Sequence, residues 1–404
     1  MNKKKQPWVR LRHRIVTFLL RPLIGTYTRW KYGITVEPFR EEKGRQYLVI
    51  MNHQTGFDQF FVSMAFRAPV YYIASEDLFS MGWLSRLLEW AVAPIPIKKQ
   101  TTDLKAMRMA MQVAKEGGTI ALAPEGNRTF SGRTCYFNPA IVKMVKMMKL
   151  PLAIFRIEGG YGVQPRWSDC VRRGKLRAYV KRVIEPEDYL SLPDAELHAL
   201  LSQELYVDEN CVDGEYHHKN AAEYMERMVY VCPECGLSEF ESRGDTVTCK
   251  NCGLQVRYLP TKELQGVGRD FPFRFLGEWY DYQEQFVNGL ELAPYADTPI
   301  CRDRVKFSEV VVYKNKKVLC KEAELRLYGD RLEIGDGELP LYTLSFDATD
   351  MITVLGKNKL NIYCGDTLYQ IKGGKPFNAL KHMNIFFRWR NSREGAEESC
   401  FLGL

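Results

Sequence analysis

The 404-residue chain predicts an α/β fold: a layered domain with a central β-sheet and flanking helices, followed by two smaller modules. Three observations carry that reading. Between residues 45 and 185, short apolar runs of strand length alternate with helix-period segments, the rhythm of a sheet covered by helices. Between 232 and 256 four cysteines fall into two tight pairs. Beyond residue 305 short strands are divided by turn signals and closed by one helix, which predicts an all-β barrel capped by that helix. With 46% apolar and 26% charged residues, the chain is excluded from the disordered, collagenous and coiled-coil classes. The expected segments are 1–44, 45–228, 229–258, 259–304, 305–392 and a tail at 393–404.

The N-terminal segment is set apart by charge. Over residues 1–31, Lys3, Lys4, Lys5, Arg10, Arg12, Arg14, Arg21, Arg29 and Lys31 occur without one acid, while the rest of this +8 chain is nearly neutral. Trp8, Val9, Leu11, Ile15, Val16, Phe18, Leu19, Leu20, Leu23 and Ile24 interleave with these bases. So much aliphatic bulk predicts a basic amphipathic contact with an anionic membrane surface, and argues against a nucleic-acid arm. The competing reading is a helix whose apolar side packs on its own domain. No window reaches the roughly 18 apolar residues of a spanning helix. The longest, residues 15–20, stops at Arg21-Pro22, and no small-residue cleavage pattern follows. The expectation is a peripheral protein on the cytoplasmic face of a membrane, not a secreted one. Eleven cysteines, an odd number unevenly spread, fit reduced thiols better than a disulfide framework.

In chain order, residues 47–51 predict a strand, 59–66 a helix and 70–74 a strand. Thr101 or Thr102 is placed to cap a helix reaching about 116, with Leu104, Met107, Ala110, Met111 and Ala114 on one face and Gly117-Gly118 ending it. Residues 119–123, 152–157 and 175–183 predict strands, and 187–205 and 220–228 closing helices. Residues 260–300, rich in aromatics such as Trp279, Tyr280, Tyr282 and Phe286, predict only an irregular connector. Strands are expected at 308–313, 323–328, 331–334, 338–343, 351–355, 359–364 and 367–371. A final helix over 376–390 sets Phe377, Leu380, Met383 and Phe387 on one face.

Two loops carry chemistry. Asn52-His53-Gln54-Thr55-Gly56-Phe57-Asp58 follows an apolar strand. Histidine is suited to moving a proton near neutral pH, and a carboxylate can fix its tautomer. On a continuous helix, His53 and Asp58 would stand about 140° apart, so a non-helical turn permitted by Gly56 is expected to fold Asp58 back. Pro124-Glu125-Gly126-Asn127-Arg128-Thr129 follows a second apolar strand. Arg128 offers a planar fork for a phosphate or carboxylate, Gly126 allows close backbone approach, and Glu125 is placed to hold Arg128 or a neighbouring loop. Both loops sit at strand carboxyl ends, so they are expected to meet on one rim.

Together these loops resemble the glycerophospholipid acyltransferases, in particular the 1-acylglycerol-3-phosphate (lysophosphatidic acid) type. The N-H-x4-D motif appears as Asn52, His53 and Asp58, and F-P-E-G-x-R-S as residues 123–129. A looser I-P-V-D-R match is Ile95-Pro96-Ile97-Lys98-Lys99, and an apolar-proline motif is Leu150-Pro151-Leu152-Ala153. The likeness covers about residues 45–190. It implies that His53 is the general base, with Asp58 orienting it. Glu125, Gly126 and Arg128 would bind the acceptor phosphate, supplemented by Lys98 or Lys99. It also implies a lysophospholipid acceptor and an acyl-coenzyme A or acyl carrier protein thioester as donor. No G-x-S-x-G elbow is present, which agrees with direct attack and no acyl-enzyme. The chain departs from the pattern at Ser75, where many relatives carry a lysine, at Lys98-Lys99 and at Thr129.

Cys232-Pro233-Glu234-Cys235 and Cys249-Lys250-Asn251-Cys252 have metal-ligand spacing for a closed, structural Zn2+ site and resemble a zinc ribbon. His217 and His218 read as a solvated loop, not extra ligands. The methionines at 107, 109, 111, 144, 147 and 148 read as core filler. The C-terminal barrel resembles pleckstrin-homology-like domains in strand count and final helix only. The competing functions are a catalytically inactive lipid-binding scaffold and nucleic-acid binding through the ribbon. The net charge of −2 over residues 232–256 argues against the second.

Overall fold

The computed structural model describes residues 7–75, 78–79, 82–97, 104–311 and 316–394. The chain divides into two units. One holds the residues up to Pro165 together with Val171–Tyr216, the other Arg166–Cys170 and the chain from His217 onward.

The first unit is built on a seven-stranded sheet. Its strands are β1 (Ile34–Val36), β2 (Leu48–Met51), β3 (Val70–Ser75), β4 (Ile95–Ile97), β5 (Thr119–Leu122), β6 (Leu152–Glu158) and β7 (Leu176–Ile184), in the order β1-β7-β6-β2-β5-β3-β4. All neighbours are parallel except β6 and β7. The helices are α1 (Leu11–Tyr32), α2 (Asp58–Ala65), α3 (Trp83–Val92), α4 (Leu104–Lys115), α5 (Ala140–Met148), α6 (Gly160–Val163), α7 (Pro186–Tyr189) and α8 (Asp194–Leu205). Central β2 is buried along its whole length. Leu48 and Ile50 belong to one core cluster and Val49 and Met51 to another, as alternation across a sheet covered on both faces requires.

Several expected elements shift. The periodicity missed α3 and α5. The buried face of α4 is Ala106, Ala110 and Val113, with Met107, Met111 and Ala114 half-buried at its flank. Thr101 and Thr102 lie outside the described residues. Met144 and Met148 are core, whereas Met147 is exposed. The 220–228 stretch forms only a 3-10 turn at Met225–Arg227.

Helix α1 runs straight through the Arg21-Pro22 point where the apolar run was expected to stop. Its amphipathicity is turned outward. The side facing the domain is His13, Gly25, Thr28 and Tyr32, while Leu11, Ile15, Phe18, Leu19, Leu23 and Trp30 are exposed. Polar bonds hold it in place. The ring of His13 meets the Tyr71 hydroxyl at 3.1 Å. The Arg21 guanidinium donates to the carbonyls of Ser63, Phe66 and Arg67 at the end of α2. The reading of an apolar side packed on its own domain is therefore overturned. Neighbouring α3 behaves alike, exposing Trp83, Leu87 and Trp90 while burying Ser85 and Ala91. No helix among the described residues is long and apolar enough to cross a membrane.

The second unit begins with a hairpin of β8 (Val231–Cys232) and β9 (Gly236–Leu237). An antiparallel sheet of β10 (Phe240–Arg243), β11 (Thr246–Cys249), β12 (Gln255–Tyr258) and β13 (Leu264–Gly266) follows. The expected irregular connector holds a helix, α9 (Leu276–Asn288), and the N–H groups of Arg274 and Phe275 just before it donate to Glu278. Trp279 and Gln283 are fully buried and bond to the backbone of Tyr230 and Val231. That helix was hidden because Trp279, Tyr280 and Gln283 make up much of its buried face, with aliphatic residues only at its ends, Leu276 and Val287.

A second seven-stranded sheet follows, all antiparallel: β14 (Cys301–Glu309), β15 (Lys317–Leu327), β16 (Arg331–Ile334), β17 (Tyr342–Ser345), β18 (Met351–Leu355), β19 (Lys359–Cys364) and β20 (Thr367–Gly373). Its order is β17-β16-β15-β14-β20-β19-β18. Among the described residues the consecutive strands β17 and β18 are the two edges, so the expected helix-capped barrel is met in part, by a curled half-barrel rather than a closed one. The first strand starts at Cys301 rather than 308, and the one expected at 338–343 is displaced to β17. Residues 312 and 313 lie outside the described residues. Helix α10 (Ala379–Glu394) packs on β18 and β19 and is buried all round in its first nine residues. The segments 166–170 and 217–228, expected in the first domain, belong to this second unit. Arg166 donates to the carbonyls of Val354 and Gly356, and Asp169 bridges Arg227 and Lys357.

Candidate active site

The two motif loops leave the carboxyl ends of adjacent parallel strands, since β2 pairs with β5 through Leu48↔Ile120 and Ile50↔Leu122. They are tied together by backbone. The His53 N–H donates to Glu125 Oε1 at 2.8 Å, and the Thr129 N–H donates to the His53 carbonyl at 3.2 Å. The expected meeting on one rim is what the geometry gives.

Asp58 opens α2 and reaches back over the loop before it. Its carboxylate accepts from the Gln54 N–H at 2.7 Å, the Thr55 N–H at 3.0 Å and the Thr55 hydroxyl at 2.6 Å. His53 Nδ1 lies 2.7 Å from Asp58 Oδ2. Asp58 is fully buried, while about a quarter of the His53 side chain is open to solvent. With Nδ1 engaged, the outward nitrogen of the ring is Nε2. Gly56 does not use left-handed backbone; the turn is closed by Thr55 and Asp58, a signal present in the sequence but not recognised there. Asn52 is structural: its amide both donates to and accepts from Ile157 of β6 at 2.8 Å.

Glu125 is 4% exposed and uses both oxygens on amides, His53 N–H and Cys135 N–H, the latter at 2.7 Å. Burial pushes its carboxyl up to about 8, against the pull of those two bonds. With both oxygens engaged by backbone amides, this side chain ties the two loops together. Gly126 needs glycine because its φ is +66°, not because space is short. Arg128 lies within electrostatic reach of Asp58 and Tyr32, and burial lowers its pKa from the ordinary guanidinium value. Lys98 and Lys99 lie outside the described residues. Ser75 ends β3 beside Ile97 of β4. The Leu150–Ala153 motif packs at the opposite end of β2, where the Leu48 N–H donates to the Pro151 carbonyl, so it sets register and takes no part in the rim.

Two residues escaped the sequence reading. Tyr32, at the end of α1, buries a hydroxyl that has no hydrogen-bond partner among the described residues and feels both Arg128 and Asp58. Lys31 Nζ sits 5.5 Å over the Tyr32 ring and 5.7 Å over Phe57, just before Asp58. Neither residue lies near a motif, so spacing could not find them.

In the other unit the cysteine quartet converges. Sγ–Sγ separations are 3.6 Å for Cys232–Cys252 and for Cys235–Cys249. A disulfide needs about 2.05 Å, whereas a tetrahedral ion with bonds of about 2.3 Å places its sulfurs about 3.8 Å apart. Gly236 and Gly253 follow the pairs at φ +78° and +76°, turning each knuckle back. The donor set is compatible with Zn2+. His217 is exposed, and His218 Nδ1 accepts from the Asn220 N–H, so neither joins the cluster.

Residues 34–157 match the protein-family model described as acyltransferase. That span runs from β1 into β6 and holds both loops. Among solved structures, the chain is similar to the 1-acyl-sn-glycerophosphate (LPA) acyltransferase PlsC of Thermotoga maritima. Identity is 20%, coverage is 48% of this chain and 78% of that one, and the TM-score is 0.40. No curated protein matches the chain.

Proposed function

We propose that the protein moves a fatty acyl group from a thioester donor, acyl-coenzyme A or acyl carrier protein, to a free hydroxyl of lysophosphatidic acid or a related lysophospholipid. The observation that carries this is the His53–Asp58 pair at 2.7 Å, fixed on a rim that also bears Arg128. Asp58, anchored by two amides and a hydroxyl, holds the Nδ1–H tautomer. Nε2 takes the proton of the acceptor hydroxyl as its oxygen attacks the thioester carbonyl carbon. The C–S bond then breaks, and the leaving thiolate receives that proton from His53. Arg128 grips the acceptor phosphate, with Lys98 and Lys99 adding charge. Glu125 positions His53 rather than binding substrate. The cysteine quartet holds a structural Zn2+. The outward apolar faces of α1 and α3, with the basic N-terminus, seat the enzyme on the cytoplasmic face of a membrane.

The test is thiol release from acyl-coenzyme A by the purified chain across a lysolipid panel. His53→Ala should lower turnover by roughly 10²–10⁴-fold with the far-UV spectrum unchanged; full activity in that variant removes the mechanism. Ser75, at the lysine position of many relatives, favours a second reading as an inactive lipid-binding scaffold. Vesicle binding without thiol release for any lysolipid would select it.

A further inference from the structure

A second group of metal-ligating side chains lies away from the cysteine quartet. Cys301 and Asp303 sit at i and i+2 on β14, hence on one face of the strand, and His382 projects from the first turns of α10. His382 is fully buried, and Asp303 is about one quarter exposed. The His382 Nδ1 lies 3.0 Å from the Asn378 carbonyl. A carbonyl only accepts, so Nδ1 carries the proton and Nε2 presents a bare lone pair. That lone pair faces Asp303 Oδ2 at 3.6 Å and Cys301 Sγ at 3.9 Å, and Sγ lies 3.8 Å from Oδ2. Three electron-pair donors thus converge, with the Lys381 side chain hydrogen-bonded to Cys301 beside them.

We propose that Cys301, Asp303 and His382 form a second site, for a divalent transition-metal ion of the Zn2+ class. The distances support it quantitatively. With bonds of about 2.3 Å to sulfur and about 2.05 Å to nitrogen and oxygen, a near-trigonal ion sets the sulfur edges at about 3.8 Å and the N–O edge at about 3.6 Å. A mixed thiolate, imidazole and carboxylate set suits a borderline ion and excludes Mg2+ or Ca2+. The Nδ1–H to carbonyl bond is the outer-sphere contact that zinc-bound histidines make. Binding displaces the thiol proton to solvent, and the partial exposure of Asp303 leaves room for a water as fourth ligand. The ion would tie the first strand of the open sheet to its closing helix. Its rival is internal: the Lys381 side chain is buried next to His382 and interacts with Cys301 and Asp303. An ammonium there pairs the acid without metal.

The experiment is metal counting on the full-length protein after loading with Zn2+ or Co2+ and dialysis. Two ions per chain are expected, falling by one in Cys301→Ser and in Asp303→Asn with circular dichroism unchanged. In the Co2+ form, Cys301→Ser should leave the tetrathiolate absorption intact and remove a weaker single-thiolate band. One ion per chain that Cys301→Ser abolishes would sustain this site and count against the quartet. Equal metal content in wild type and both variants, or no uptake beyond the quartet, overturns the proposal and assigns the cluster to Lys381.

Discussion

Replacing Glu125 separates positioning from substrate binding. Its two oxygens satisfy the amides of His53, part-buried, and Cys135, buried. Glu125→Gln keeps one carbonyl oxygen but turns an amide nitrogen toward the second N–H, leaving a buried donor unpaired at a cost of about 1–3 kcal/mol. Glu125→Ala strands both donors and frees the His53 backbone; a shift near 1 Å is enough for about a hundredfold loss of turnover. In a thiol-release assay with varied acceptor, kcat should fall while the acceptor KM holds. The pH dependence supplies an independent sign. Burial raises the folded-state value to about 8 from the ordinary 4.5. The folded protein therefore holds this proton more tightly than the unfolded chain. The stability it contributes is full below about 4.5 and lost as pH rises through about 8. Glutamine does not titrate, so the denaturant-midpoint deficit of Glu125→Gln should be larger at pH 5 than at pH 9. A deficit that grows with pH, or a KM change at constant kcat, refutes the positioning role.

Tyr32→Phe, which removes only the unpartnered hydroxyl beside Arg128, should raise the acceptor KM several-fold and leave donor KM unchanged; equal acceptor KM would detach Tyr32 from the site. Phe18→Ala with Leu19→Ala removes two exposed apolar side chains from α1, each worth roughly 1.5–3 kcal/mol on full burial. Co-sedimentation with anionic vesicles should therefore weaken by at least about thirtyfold, with activity on a short-chain, water-soluble acceptor preserved. Unchanged vesicle binding would remove α1 from the membrane contact.

What the sequence made legible was local. The strand before each loop is a short apolar run, and a run buried on both faces needs no partner to be recognised. The His53–Asp58 return was foreseen, but through Gly56, whereas the turn is closed by the Thr55 hydroxyl and by Asp58 itself. Glu125 was placed to hold a neighbouring loop, and its bonds to the His53 and Cys135 amides do so; its phosphate role came only from the resemblance. Tyr32 and the Cys301, Asp303 and His382 group were out of reach: their partners come from elements as much as 96 residues away, at separations no local pattern encodes. Helix α9 failed for another reason, since Gln283 and Trp279 fill a buried face through hydrogen bonds to Tyr230 and Val231 rather than through aliphatic period.

The outward turn of α1 links these failures to function. An amphipathic pattern fixes which residues share a face but not which solvent that face meets. Here the domain takes the side with His13, Gly25, Thr28 and Tyr32, held by polar contacts such as those of Arg21 and by the packing of Tyr32 on Phe57 and Phe61. Twenty-two residues of helix extend about 33 Å, with Leu11 to Trp30 along the exposed side and Tyr32 beside Arg128 at the far end. A substrate with a fatty chain and an anionic head needs the same two environments in the same order. A bilayer against the apolar stripe would keep the chain in hydrocarbon while the phosphate reaches the guanidinium. Under the proposed function, the acceptor would then not have to leave the membrane to be acylated.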